Sequence, residues 1–511
     1  MIYEKNLLLK NKSTHKLSLS TFKRGVNTET DENCLPYNFA KVSYNFSFKR
    51  GALQTGIGFS ELVLPKTNQP NSDMRNLQIV DDYEKLNKLW LFPYYNLNAN
   101  VRDHMLLLSF DNVVKYVKII GINPVFYNID LAENLTFTTE PNALYYNING
   151  EDVMLVSSAT DGMFTFKPSN SSALIADAPK IISLCRHYER VFAIEEGKRN
   201  RLVFSANLDP TNWDISIDEA GYIEIIDDRG CLQKVVSFND YVYIFKEYGI
   251  SRLSAYGDQA EFSLSSMFVT SGKIYGNSVC VCGDRIIFLA RDGIYSFNGY
   301  SATKLSLNIE SMFEENNDQC CSAYHNGKYY LGCRLKYSDN EVVGCEGYSE
   351  GYINNSLIEL DLKTGDIVLT RGVDLKDMCS IEYETVNKLA VLFNNEHKKI
   401  LGQIDNSGQI FGKPLKKVWT SPYTNLGYAD KVKKIEKFSI VSKHDCKITI
   451  KTNLENKTFE VKGKNSTSTI YPNLKGEMFQ FSIETDGNDA EIASPEITIG
   501  ISKWFIIKAT L

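Results

Sequence analysis

No apolar run in this 511-residue chain approaches the roughly 20 residues a helix needs to span a bilayer. The opening stretch MIYEKNLLLKNKSTHK lacks a sustained apolar core, so a secretory signal is not expected. There are 11 Cys but no CxxC pair; the tightest spacings are Cys280-Val281-Cys282 and Cys320-Cys321. Both lie in apolar, strand-like stretches, which predicts reduced core thiols rather than disulfides or a zinc site. The six histidines (His15, His104, His187, His325, His397 and His444) form no i, i+4 pair. They read as surface or turn residues rather than ligands. Zincin motifs, Walker loops and the Rossmann fingerprint are all absent. Amphipathic helices are nearly missing too, the best candidate being Asn308–Glu314. These gaps exclude a helical membrane protein, a coiled coil and the common nucleotide-binding enzymes.

What the chain has is aromatic mass of one kind: 29 Tyr and 27 Phe against 4 Trp. Tyr and Phe suit pleated strands, so β structure is expected. The net charge of -6 conceals a division. Residues 1–60 hold nine Lys/Arg and four Asp/Glu, a balance of +5, and residues 413–511 hold sixteen and eleven, again +5. The middle, 61–412, holds 31 basic and 47 acidic residues, a balance of -16. Solvated surface explains such a division; contact of the flanks with an acidic partner is the sharper alternative.

An internal repeat organises that middle. Asn239–Phe245 followed by Gly249–Leu253 realigns, 44 positions later and without gaps, with Gly283–Leu289 followed by Gly293–Phe297. Looser copies give seven anchors, near 87, 150, 189, 239, 283, 326 and 387. Each is a polar turn that precedes an apolar strand. Spacings of 44 and 43 fall within the range of about 40–50 expected for the blades of a propeller. Four-stranded sheets repeated radially bury one another's faces. The chain is therefore expected to be all-β: an N-terminal extended arm over 1–64, a β-propeller over 65–412 and a β-sandwich over 413–511. The sandwich rests on Phe438–Val441, Cys446–Thr452, Thr458–Val461, Met478–Ile483 and Glu496–Ile501. Seven blades fit best, with six and eight as alternatives. The long gaps after the anchors near 87 and 326 predict insertions, one of them a loop over Ser338–Asn355.

Asp152, Asp240, Asp284 and Asp292 recur near equivalent turns and invite a glycosidase reading with paired channel carboxylates. Backbone capping in turns accounts for them equally well. Thr485–Asp489 lacks the ligand ladder of a calcium loop, and Trp213-Asp214 is a lone WD dipeptide without its Gly-His partner.

Three stretches carry a resemblance. Gly25-Val26-Asn27, Leu35-Pro36, Asn45, Gly51-Ala52-Leu53 and Gly56 resemble the opening of propeller-bearing tail and head–tail structural proteins of bacteriophages, with Gln54-Thr55 standing where those carry an Arg. The stretch GNSVCVCGDRIIFLARDGIYSFNG, ending at Gly299, is similar to one of their blades. Trp419-Thr420-Ser421-Pro422, Leu426-Gly427 and Lys433-Lys434-Ile435 resemble the entry to their C-terminal sandwich. The tail nozzle and adaptor proteins of short-tailed phages are the nearest class.

The resemblance implies a non-enzymatic virion component, assembled in the host cytoplasm as a homo-oligomeric ring around the DNA exit path. Its partners would be portal, adaptor or other tail proteins, with DNA passing but not specifically bound. No catalytic residue, cofactor or metal is expected. The alternative is a glycan- or receptor-binding propeller whose loop surface would use Tyr337, Tyr348 and Tyr352; a propeller glycosidase is a third reading. In the arm, Asn45 is positioned to bridge backbone groups.

Overall fold

A computed structural model of the chain describes residues 12–19, 22, 25–31, 34–36, 39–62, 86–120, 125–216, 219–337, 352–383, 386–394, 400–429, 431–493 and 495–502. Within these the chain is all-β: a seven-bladed propeller joined to a β-sandwich. Six blades are four-stranded antiparallel meanders, spanning 88–131, 142–175, 181–224, 232–269, 280–304 and 321–371. We number them blades 1 to 6. Blade 7 takes its first three strands from Leu375–Tyr383, Val386–Phe393 and Ile400–Asp405.

The fourth strand of blade 7 comes from the other end of the chain. Gly58–Glu61 pairs antiparallel with the third strand, from Asp405↔Gly58 to Gly402↔Glu61. Phe59, almost fully buried, meets Phe393 edge-on at 5.0 Å. The N-terminal segment thus completes the ring and covers an edge strand that would otherwise offer unpaired N–H and C=O groups.

The second strand of each blade carries a run of consecutive buried apolar residues, such as Met105–Leu108, Val153–Val156 and Val242–Phe245, because a neighbouring blade covers each face. In blade 4, Val242 and Ile244 pack with Phe192 and Ile194 of blade 3. Tyr243 and Phe245, one residue on, pack with Ile286 and Phe288 of blade 5. Strict alternation holds on one exposed sheet face; here both faces are core.

The anchor turns link first to second strands. Asn149-Gly150, Asn239-Asp240 and Asn326-Gly327 each place two consecutive residues at positive φ, the geometry of a type I′ hairpin. Two anchors are misplaced, and one of them, Asn387-Lys388, lies within the second strand of blade 7. Asn87 stands before the first strand of blade 1, Lys88–Asn96, and the true turn there follows Asn96. The expected insertion after 87 is therefore blade 1 itself, with strands of seven to nine residues. The expected loop after Tyr337 lies mainly outside the described residues. Asn308–Glu314 contributes only a single 3-10 turn, Glu310–Met312.

The sandwich is composite. One sheet joins Lys12–Ser18, Phe46–Lys49 and Ala52–Thr55 to Lys433–Ser442 and Glu496–Ser502; the other joins Val42–Tyr44 to Lys417–Thr420, Phe479–Thr485, Cys446–Thr452 and Asn456–Val461. Ile435, Phe438 and Ile440 face Ile448, Ile450 and Phe481 across the interior, with Phe438 and Phe481 stacked at 5.9 Å. The residues expected as an arm along the propeller are thus divided between the sandwich and blade 7. Both basic flanks enter the same sandwich.

Asn45 joins the two parts. At φ 62°, it donates its backbone N–H to Leu369 O (2.8 Å) and its Nδ2 to Lys416 O (2.8 Å). Its Oδ1 accepts the Arg371 N–H at 2.9 Å. Blade 6, the N-terminal segment and the sandwich entry therefore meet on one buried carboxamide. Gly56 packs against it: a Cβ there would stand 2.8 Å from the Asn45 carbonyl oxygen.

Candidate functional site

The first strands of the seven blades ring a central channel, and polar contacts run from blade to blade around one mouth. Asp377 Oδ2 of blade 7 accepts the Leu89 N–H of blade 1 at 2.8 Å. Lys88 Nζ donates to Asn142 Oδ1 of blade 2 at 3.2 Å, and Asn142 Nδ2 donates to Ile182 O of blade 3 at 3.0 Å. Ser183 Oγ accepts the Val235 N–H of blade 4 at 3.2 Å. At Gly276 the backbone comes so near blade 4 that a Cβ would lie 2.9 Å from Gln233 O. Ser322 Oγ of blade 6 donates to Asn277 O at 3.0 Å, and Asn354 Nδ2 donates to Leu375 O of blade 7 at 2.8 Å.

Inside this ring lies a cavity of about 470 Å3, within the usual size range of small-molecule sites. Lys88, Lys234 and Lys376 line it together with Glu140 and Asp377. Lys88 lies 3.9 Å from Glu140. Burial, reinforced by the like charge of Lys88, pushes the Lys234 ammonium down to about 8. Burial pushes the Asp377 carboxyl up to about 6, with Glu140 adding to the rise and Lys88 and the Leu89 N–H opposing it. An amine and a carboxyl displaced toward neutrality in one cavity mark it as a functional-site candidate.

At the opposite end of the first strands other contacts join neighbouring blades. His187 Nδ1 meets Ser237 Oγ of blade 4 at 2.9 Å, and His325 Nδ1 meets Ser380 Oγ of blade 7 at 2.8 Å. Both rings are buried, not surface groups as expected from sequence. Burial holds the His187 ring down to about 4 and lowers His325 as well. Near this end tyrosines cluster: Tyr188 and Tyr256 meet edge-on at 5.3 Å, and the Arg252 guanidinium lies 4.4 Å from the Tyr241 ring and 5.6 Å from that of Tyr300. Tyr256 and Tyr300 are 71% and 68% exposed.

The sequence-derived candidates lie elsewhere. Tyr337 is half-buried, with its ring 4.0 Å from the Arg371 guanidinium and its hydroxyl 2.7 Å from Ser356 Oγ. A side chain held this way cements blade 6 and does not project as a contact. Tyr352 is half-buried, and Tyr348 lies outside the described residues. Asp152 bonds to Tyr145, Asn147 and the Tyr95 N–H; Asp240 accepts from Tyr188; Asp284 pairs with Arg285; Asp292 pairs with Tyr295 and Lys304. None of the four lines the channel cavity, whose carboxylates are Glu140 and Asp377. Sequence reasoning missed Lys234 and Asp377, which no motif or repeat position distinguishes.

Among the described residues no group of three His, Cys, Asp or Glu could hold a metal ion, and no helix is long and apolar enough to cross a membrane. No family model matches the chain, and no curated protein matches it. Solved structures similar to it include one described as "AfRom2 CNH domain", at 8% identity and TM-score 0.37, covering 63% of this chain and 94% of that one. Another is "Dihydro-heme d1 dehydrogenase NirN in complex with DHE", at 9% identity and TM-score 0.37, covering 65% of this chain and 63% of that one. Neither likeness carries an argument about activity or ligand.

Proposed function

We propose that the protein is a non-enzymatic structural component of a bacteriophage tail, an adaptor- or nozzle-like subunit that assembles with copies of itself and with other virion proteins. The observation that carries this reading is the role of the residues behind the sequence resemblance. Asn45, Leu53 and Gly56 are buried or closely packed where the N-terminal segment ties sandwich to propeller. A chain that crosses between two domains and then closes a ring suits a part that must transmit force without coming apart. In the particle, the acidic propeller repels an exiting genome while the basic sandwich meets acidic neighbours.

Light scattering and negative-stain imaging of the purified chain, alone and with particle proteins, test the assembly. Rings, or incorporation into a tail, support it; a monomer that no particle protein recruits overturns it. DNA titration at low and moderate salt tests the repulsion, and micromolar, salt-dependent binding would sink that part.

A second reading, a glycan- or receptor-binding propeller, draws on Tyr188, Tyr256 and Tyr300 rather than on the loop tyrosines. Exposed rings beside a guanidinium suit stacking on a sugar or a partner side chain. Saccharide binding that disappears in Tyr256→Ala and Tyr300→Ala would favour this reading over the first.

A further inference from the structure

Three first strands carry the same irregularity at the channel mouth. The register slips between Ile181 and Ser183 in blade 3, Leu232 and Lys234 in blade 4, and Leu375 and Asp377 in blade 7. Bulges re-aim the side chains that follow them. In blades 3 and 7 that side chain is an acceptor, and it takes an N–H from the next blade: Ser183 from Val235, Asp377 from Leu89. In blade 4 the same place holds Lys234, which can only donate. Among the described residues its ammonium makes neither a hydrogen bond nor an ion pair, although it lines the cavity.

In the rest of the lining only Asp377 offsets this charge, and it does so without direct contact. Glu140 lies beside Lys88, and Asp377 is engaged by the Leu89 N–H. With Lys376, three ammonium groups share the cavity with two carboxylates, inside a segment whose overall balance is -16. The side-chain amide of Gln319, which has no other hydrogen bond among the described residues, lines the same space. A surplus cation set in a confined polar cavity is a counter-charge without its partner.

We propose that the channel mouth binds a small oxyanion, a phosphate- or carboxylate-bearing molecule, with Lys234 as its principal counter-ion and Lys88 and Lys376 flanking it. The site is independent of assembly into a particle, and the cavity admits a metabolite-sized ligand rather than a polymer.

Calorimetry and thermal melting of the full chain, with inorganic phosphate and with citrate as separate probes at constant ionic strength, test it. The expected result is saturable binding of at least one probe at one per chain, with a matching rise in Tm. Which probe prevails separates a phosphate ligand from a polycarboxylate. Lys234→Met should fold with an undiminished Tm and bind about tenfold or more weakly, the usual order for loss of a charged partner, whereas Lys234→Arg should retain binding. Lys447→Ala, an exposed sandwich lysine, should bind as wild type. Absence of saturable binding by either probe, equal binding by Lys234→Met, or equal loss in Lys447→Ala overturns the proposal.

Discussion

Replacing Lys234 with methionine should make the protein more stable. Burial holds the native ammonium down to about 8 against 10.5 for an unperturbed lysine. At about 1.4 kcal/mol per unit this sets an upper figure of roughly 3 kcal/mol for the cost of keeping the charge in the channel. The mouth is open to water, and screening reduces that figure to about 1–2 kcal/mol. Methionine keeps the length and the apolar stem while removing the charge, so the cost should return as stability.

The pH dependence identifies the cause. Because the native pKa lies below the unfolded one, the folded state binds fewer protons across the interval between them. The penalty is therefore complete below about pH 8 and disappears as pH rises toward 10.5. Urea unfolding followed by tryptophan fluorescence suits the measurement, since Trp90 lines the same cavity. In phosphate-free buffer, Lys234→Met should raise the urea midpoint at pH 7, and the gain should shrink steadily between pH 8 and 10.5. A destabilised variant at pH 7, or a gain unchanged across that range, would falsify the reasoning.

Three other perturbations probe the frame around the site. His187, buried with its Nε2 lacking a partner and its pKa held down to about 4, must take up a proton on unfolding below about pH 6.5. Stability should therefore fall as pH drops from 6.5 to 4, and His187→Gln should flatten that slope by about 1–2 kcal/mol in denaturant titrations, after allowance for residual solvent contact. Asn45→Ala leaves the Arg371 N–H and Lys416 C=O without their partner and keeps a positive φ, so about 2–4 kcal/mol should be lost. Asn45→Gly relieves the φ but not the lost bonds and should fall between Ala and wild type; if it equals wild type in chemical unfolding, the carboxamide is not the joint. Gly58→Val places a Cβ against Ser407 Oγ and the Gly408 N–H, which should expel the closing strand. Faster amide exchange confined to blade 7, with a tendency to aggregate, is the expected signature; unchanged protection there would show that Gly58–Glu61 does not close the ring.

The parts of the fold that could be read from sequence are the local ones. A hairpin with two residues at positive φ favours Asn, Asp or Gly, and five of the seven anchors, near 150, 189, 239, 283 and 326, mark true turns between first and second strands. Asn45 was legible because a lone Asn among turn residues has few other uses. The failures are non-local. Gly58–Glu61 pairs with residues more than 340 positions away, and no periodicity announces a strand whose neighbour is so distant. Asn87 misled because an apolar run looks alike as a first or a second strand. The histidines did leave a signal: His187 with Ser237 and His325 with Ser380 are His–Ser pairs about one blade apart, at the ends of successive first strands. Lys234 left none, since a bulge that re-aims one side chain depends on the register of its partner strand and on no residue type of its own.

Charge shows most clearly how connectivity changes the meaning of a sequence. As a linear profile, +5, -16 and +5 describe a chain with two separate basic ends. Folding brings those ends into interleaved strands of one sandwich, because Val42–Thr55 must reach Lys417–Thr420 and Lys433–Ser442 before Gly58–Glu61 can close blade 7. The requirement that the first and last strands meet to seal the ring thus also gathers the basic residues. The result is a two-ended molecule, acidic in the propeller and basic in the sandwich. An approaching partner experiences that separation rather than the net charge, and its attraction or repulsion is set by which domain it reaches first. Against this background the cationic surplus of the channel mouth runs opposite to its own domain. If the negative propeller keeps polyanions at a distance while Lys234 and Lys376 line a cavity of about 470 Å3, the molecule discriminates by size: a small anion passes where an extended one is repelled.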